Sequence, residues 1–329
     1  MFQAKKDKQI ISGKKRDVTR FMRQKAIIEL RDVKPRQQGN YQIRAKPRPE
    51  LKISARKKAE ELLEKRVITE REINMARAFI GVGLLTRHQI QRLFFHDHAK
   101  LASNRLVRLY KHYILDRGHY WLLEMKAMGL EACYIYTLGS VGQEIFALYN
   151  GLKRQELPFT ASRYSLMRSN HFLLHDLQVS EMFTQLQLGV STAGKRLIWY
   201  NEMAAALWHG EEELVRPDGL GVLYGHNSQA SFFVEMDRGS THWERKIAFY
   251  ERARQQGDWS QQLGLSQYPR VLCVMPRGKS RELLQMVQAR KPVTEFWVKE
   301  WDSVLMGDVL TGWAKGNGGC QGKLIDDIG

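Results

Sequence analysis

The chain has 329 residues, 43% of them hydrophobic, which is enough for two domains with sizeable cores. Its three cysteines, Cys133, Cys273 and Cys320, are odd in number and far apart, which excludes a disulfide framework or a zinc-finger spacing and suits a reducing cytoplasm. No apolar run approaches the roughly 18 residues that span a bilayer, and MFQAKKDKQII lacks the apolar core of a signal peptide, so a cytoplasmic protein without membrane insertion is expected.

The net charge of +17 is concentrated at one end. Residues 1–60 hold 19 Lys+Arg against 6 Asp+Glu, a net +13. Such a block repels itself and attracts polyanions, so it reads as a basic, partly disordered arm and linker for nucleic acid. RAKPRPELK (44–52) sets two prolines among charges and reads as linker.

Residues 61–150 read as a winged helix-turn-helix, a DNA-binding domain. ITEREINMARAFI (68–80) has helical spacing, and the glycines of GVGLL interrupt it. TRHQIQRLFF (86–95) begins at a Thr86 N-cap and puts Ile90, Leu93 and Phe94 on one face. A third helix is expected over 100–118, with Leu106, Leu109, Tyr110 and Tyr113 inward and Gly118 as its stop. Ser103, Asn104, Arg105, Arg108 and Lys111 fall on its polar side and are the candidate DNA contacts. HYWLLEM (119–125) and CYIYTL (133–138) complete a hairpin around Gly129, and GSVGQEIFALY resumes helix. A plain three-helix bundle with a charged outer face is the structural alternative. The His-Asp-His of 96–98 lies between two helices without a third histidine nearby, and reads as a polar turn.

From 151 to 306 the pattern is α-β-β-β-α-β-α-β, a mixed sheet between helices. Its segments are a helix at 173–189, strands at 195–203, 216–225 and 230–237, a helix at 242–257, a strand at 268–276, a helix at 280–291 and a strand at 295–301. Residues 307–329 form a Gly-rich tail. Alternation puts Glu235 and Asp237 on one strand face with Phe233. Antiparallel pairing of the two preceding strands brings Asp218 close to both. Three carboxylates at one sheet edge repel and favour a hard divalent cation. Trp243, Lys246, Ile247 and Tyr250 form an inward helical stripe, so Lys246 can reach the acids. Carboxylates with a lysine are the equipment of metal-assisted phosphodiester cleavage. Read singly, Asp218 is also good turn chemistry in Pro-Asp-Gly, Glu235 and Asp237 suit an edge strand, and Lys246 could snorkel.

PDG at 217–219 followed by VEMD at 234–237 resembles the PD-(D/E)XK superfamily of restriction-endonuclease-like folds. The position two after Glu235 is Asp237 rather than lysine, and Lys246 on the next helix would stand in for it. A winged helix followed by PDG…VEMDRGS…KIAFY resembles the replication-relaxation proteins, and is similar to the MobC-type relaxases of mobilisable plasmids and integrative elements. The resemblance covers roughly residues 65–305. It implies an α+β protein, a winged helix-turn-helix followed by a restriction-endonuclease-like domain, that nicks one strand of double-stranded DNA at a transfer origin. Asp218, Glu235 and Asp237 would hold Mg²⁺ or Mn²⁺, Lys246 would be the catalytic lysine, and Glu202 and Glu181 are candidates for a supporting acid. Relaxosome or coupling proteins are the implied protein partners. A non-catalytic DNA-binding accessory protein of plasmid transfer or replication control, and a restriction-type nuclease, are the competing functions.

Overall fold

The computed structural model describes residues 50–119, 134–157, 170–226, 228–306, 309–318 and 321–324. The basic residues 1–49, the expected hairpin turn around Gly129 and the end of the tail lie outside them.

Helix α1 (Ala55–Glu64) starts at Ser54, whose hydroxyl oxygen accepts from the Lys57 amide at 3.2 Å. It crosses residue 60, the expected end of the arm, because Ala59 and Leu62 have a core to enter. Helix α2 (Glu70–Val82) opens on a capping box. Glu72 accepts from the Thr69 amide at 2.9 Å, and Gly83, at φ 76°, ends the helix. Strand β1 (Leu85–Thr86) follows, then α3 (Arg87–Phe94) and α4 (Ala99–Lys111). Thr86 caps α3 as expected, in a reciprocal pair with Gln89 at 3.1 and 2.8 Å. His96 and Asp97 both have positive φ in the turn before α4.

The third helix is shorter than expected. Tyr113 adopts φ 61°, and the Ile114 amide turns back to the Leu109 carbonyl at 3.0 Å, closing the helix two turns before Gly118. Residues 115–118 therefore belong to strand β2 (Leu115–His119), which pairs with β3 (Tyr134–Leu138). The three strands run in the order β1-β3-β2, all antiparallel. Helix, strand, two helices and two strands give winged-helix topology. The two-residue β1 has no period of its own to betray it and exists through its pairing with β3.

Helix α5 (Ser140–Tyr149) packs on α1. Helix α6 (Asn170–Thr192) leads into β4 (Arg196–Asn201), the short α7 (Glu202–Ala205) and a small hairpin, β5 (Leu207–His209) with β6 (Glu212–Val215). Then come β7 (Gly219–Tyr224), β8 (Gln229–Met236), α8 (Trp243–Gln256), α9 (Trp259–Leu263) and β9 (Arg270–Met275). Helix α10 (Ser280–Arg290), β10 (Phe296–Glu300), α11 (Trp301–Leu305) and β11 (Ala314–Lys315) complete the order. The six-stranded sheet reads β11-β10-β9-β8-β7-β4. Strands β4, β7 and β8 form an antiparallel meander, and β8, β9 and β10 are parallel. All five strands and three helices expected over 151–306 are present in order, and the sheet is mixed.

Strand alternation divides the interior. Phe232, Val234 and Met236 of β8 join the core that contains Met182, Phe183 and Leu186 of α6. Phe233 joins the core formed with Trp243, Ile247, Tyr250 and Ala253 of α8. Glu235 is therefore delivered to the α8 side. Among the described residues no helix is long and apolar enough to cross a membrane.

Candidate active site

The centre of the site follows from one register. Gly219 pairs with Val234, so Asp218 and Glu235 stand opposite each other where β7 begins and β8 ends. The Asp218 amide donates to the Val234 carbonyl at 3.0 Å, and the Met236 amide donates to Asp218 Oδ2 at 2.7 Å. The Asp218 side chain thus reaches across to β8. It does not fold onto its own backbone as a turn aspartate would.

Lys246, one turn into α8, places Nζ 2.7 Å from Glu235 Oε2. Tyr250, one turn further along the same stripe, donates its hydroxyl to Glu235 Oε1. Both oxygens of a nearly buried carboxylate are therefore satisfied. Burial, with the charge of Asp218, pushes Glu235 up to about 7 against the pull of Lys246. Burial works against the charge on Lys246, but Glu235 and Asp218 raise it overall.

His175, on α6, was not singled out by the sequence pattern. Its Nε2 is 3.2 Å from Asp218 Oδ2. Burial opposes its charge, but the carboxylates of Asp218 and Asp176 raise it to about 10. Asp218 is lowered in turn: burial would raise it, and His175 and Lys246 outweigh that. The cluster is two acids and two bases, with His175, Asp218 and Lys246 still 17–27% exposed. The available signal was the His-Asp pair interrupting apolar LL-x-x-L in α6. Tyr250 already lay in the predicted stripe with Lys246, without an assigned role.

Other expected residues are placed elsewhere. Asp237 does not complete a three-carboxylate cluster. Its Oδ1 accepts from the Gly239 and Thr241 amides at 2.7 and 3.3 Å, and its Oδ2 from the Trp243 indole at 2.9 Å. It orders the loop entering α8, where unsatisfied amides need an acceptor. Glu181, expected as a supporting acid, is engaged on the winged-helix side. It accepts from Gln89 Nε2 at 2.9 Å and from Arg92 Nη2 at 2.6 and 2.8 Å, both on α3. Glu202 opens α7 directly after Asn201, the pairing partner of Gly219. Among the described residues no three of His, Cys, Asp and Glu converge as a metal-binding group. The two carboxylates that do meet are Asp218 and Glu235, each already engaged by its own chain, Asp218 by His175 and the Met236 amide and Glu235 by Lys246 and Tyr250.

On α4, Asn104, Arg108 and Lys111 are exposed along one stripe with Lys100. The Ser103 hydroxyl donates to the Ala99 carbonyl at 2.7 Å. Arg105 turns inward. Its Nε is 2.9 Å from Glu72 and its Nη2 donates to the Val67 carbonyl at 3.0 Å, so it holds α4 to α2 rather than facing outward with the others.

No curated protein matches the chain. Among solved structures, the DNA-bound restriction endonuclease FokI is similar to it at 12% identity and a TM-score of 0.28, over 77% of this chain and 44% of that one. The chain thus spans less than half of the FokI chain it matches. A family model described as replication-relaxation matches residues 80–267, from the end of α2 through α8 and α9. That is more than half of the chain, it takes in Asp218, Glu235 and Lys246 together with α3 and α4, and the protein belongs to the replication-relaxation family.

Proposed function

We propose that this protein is a site- and strand-specific DNA nicking enzyme, a relaxase acting at the transfer origin of a mobilisable element. The single observation behind this reading is Asp218 facing Glu235 where the central strands β7 and β8 begin and end, with Lys246 Nζ 2.7 Å from Glu235. That is the arrangement a PD-(D/E)XK site with its lysine displaced to the following helix would need. Asp218 and Glu235 would hold Mg²⁺ or Mn²⁺, and Asp237, whose oxygens serve the α8 entry, drops out of the ligand set. When bound, the cation supplies charge neutralisation at the scissile phosphate and acidifies a water. Lys246 adds a positive charge on the α8 side, where it would oppose the charge that builds on the phosphate in the transition state. Tyr250 fixes the Glu235 carboxylate, and the Met236 amide fixes that of Asp218. The exposed Lys100, Asn104, Arg108 and Lys111 of α4 would meet duplex DNA.

A second reading has one observation in its favour. Each acid already has a cation from its own chain, His175 on Asp218 and Lys246 on Glu235, so the cluster is charge-balanced as it stands. A DNA-binding accessory protein without nuclease activity would need nothing more. The deciding experiment incubates supercoiled plasmid bearing the cognate transfer origin with the protein and Mg²⁺ or Mn²⁺, beside Asp218→Ala and Glu235→Ala. Open circles from the wild type alone support the nicking enzyme. A mobility shift with no open circles in either metal supports the accessory protein.

A further inference from the structure

The winged helix and the mixed sheet are locked together. Trp199 of β4 lies edge-on to Phe183 of α6, with ring centroids 5.8 Å apart. The ring also rests against two backbones that bear no side chain. A Cβ on Gly81 of α2 would stand 3.2 Å from Trp199 Cδ1, and one on Gly219 of β7 only 2.4 Å from Cζ2. Asn201 donates its amide to the Ile80 carbonyl at 2.9 Å. On α6, Ser180 donates to the Leu84 carbonyl at 2.6 Å. Glu181, its side chain 5% exposed, binds Arg92 and Gln89 of α3. One hydrophobic core runs from Ala59 through α2, α4 and α6 to Trp301.

Helix α6 is the shared member. Glu181 grips the winged helix, and His175, six residues earlier on the same helix, touches Asp218. An uninterrupted helix is stiff over that span. Close-packed interiors hold their parts in discrete positions, whereas a flexible tether would let one half wander over many.

The geometry points to a molecular ruler: Glu181, together with Trp199, holds the exposed face of α4 at a fixed offset from Asp218 and Glu235, so that the nick falls at one phosphate a set distance from the bound sequence. This rests on the nicking reading above. Successive phosphates of one strand lie about 3.4 Å apart along the duplex axis, so single-phosphate choice needs the offset held more tightly than that. A packed core with a partly buried ion pair across the seam meets that demand. Glu181 is a positioning residue, since it touches neither the site nor the face that would meet DNA.

The test has a structural arm and a chemical arm. Spin labels at Arg77→Cys in α2 and Glu282→Cys in α10, with Cys133→Ser and Cys320→Ser, report the distance between the halves in the full-length chain. The ruler requires one narrow distance population, broadened by Glu181→Ala. The nick made in transfer-origin plasmid is then mapped to the nucleotide, and the bound position is footprinted with hydroxyl radicals. Wild type should nick one phosphate. Glu181→Ala should keep its footprint, lose roughly ten- to a hundredfold of its nicking at that phosphate, and spread onto neighbours, as a misplacement of about 1 Å would cause. If Glu181→Ala does not fold, the wild-type distances and nick map still decide. A broad wild-type distance distribution overturns the ruler. Scattered wild-type nicks around a single footprint also overturn it while leaving the nicking enzyme intact. A narrow distribution with no nick in either metal removes the ruler along with the nicking reading, and leaves only the rigid docking.

Discussion

Gly219→Ala adds a single methyl group at the seam between the two halves, and the surroundings set its effect. The new Cβ would lie 2.4 Å from Trp199 Cζ2, 2.9 Å from Cε2 and 3.2 Å from Cη2. Carbon atoms rest at about 3.5–4.0 Å, so the indole must retreat by roughly 1 Å. Retreat is blocked, because Gly81 of α2 lies close to its Cδ1 side and Phe183 packs edge-on. Overpacking of this kind costs about 1–3 kcal/mol, and the upper part of that range is expected with both flanks fixed. Urea denaturation should show a lower midpoint with an unchanged slope. At roughly 2–4 °C per kcal/mol for a chain of this class, the melting temperature should fall by about 4–12 °C. Nicking should fall too, since Asp218 is the preceding residue. Adding Trp199→Leu supplies the missing space, so the double mutant should be more stable than the sum of the two single changes by about 1–2 kcal/mol. A Gly219→Ala protein within about 0.5 kcal/mol of wild type, or a strictly additive double mutant, would refute the account of Trp199 as a fixed wedge.

The other predictions concern charges. Arg105→Ala strips the partner from the buried Glu72 and should cost about 2–4 kcal/mol, discounted because Arg105 remains 18% exposed. It should leave the salt dependence of DNA binding unchanged, whereas Arg108→Ala should lower the salt slope by about 1 with little effect on stability; equal slopes for the two variants would contradict their placement. Burial would raise the Glu72 pKa, but Arg105 and Thr69 outweigh it and hold the carboxylate below its ordinary value. A depressed folded pKa means that its stabilisation is complete above the unfolded value of 4.5 and is lost as pH falls through the folded value. Wild type and Glu72→Gln should therefore differ in urea midpoint at about pH 6 and converge towards pH 3, and a gap that persists at low pH would count against the pair. Tyr250→Phe keeps the ring but leaves Glu235 Oε1 without its donor, so it should destabilise by about 1–3 kcal/mol and reduce nicking, and undiminished nicking would count against Tyr250 as the anchor of Glu235.

What the sequence revealed, and what it hid, divides along a physical line. Period and pairing are local. The alternation of β8 gave the face of Glu235, the meander order gave Asp218 opposite it, and the stripe of α8 gave Lys246. Each of those needed only the spacing of residues within one or two neighbouring elements. Partner choice is not local. Asp237 has the same alternation as Glu235, yet β8 ends at Met236, and the amides of Gly239 and Thr241 with the indole of Trp243 take both its oxygens. Arg105 has the right helical angle to be a DNA contact, but Glu72 lies within its reach, and a guanidinium will satisfy a buried carboxylate before it faces water. Glu181 resembles a site acid until α3 supplies Gln89 and Arg92 from about ninety residues away.

The glycine of Pro-Asp-Gly makes the same point from the opposite side. As sequence it signals a turn, and the backbone is free to make one. In the fold Gly219 is a paired strand residue flanked by β4 and β8, and its missing side chain is where the Trp199 ring lies. The motif therefore serves two ends within adjacent positions. Asp218 needs the strand to begin there so that it faces Glu235, and Gly219 needs to be bare so that β4, and the winged helix packed behind it, can close on the same edge. Site and docking seam are joined at a single peptide bond, which is why a change at either should be felt at both.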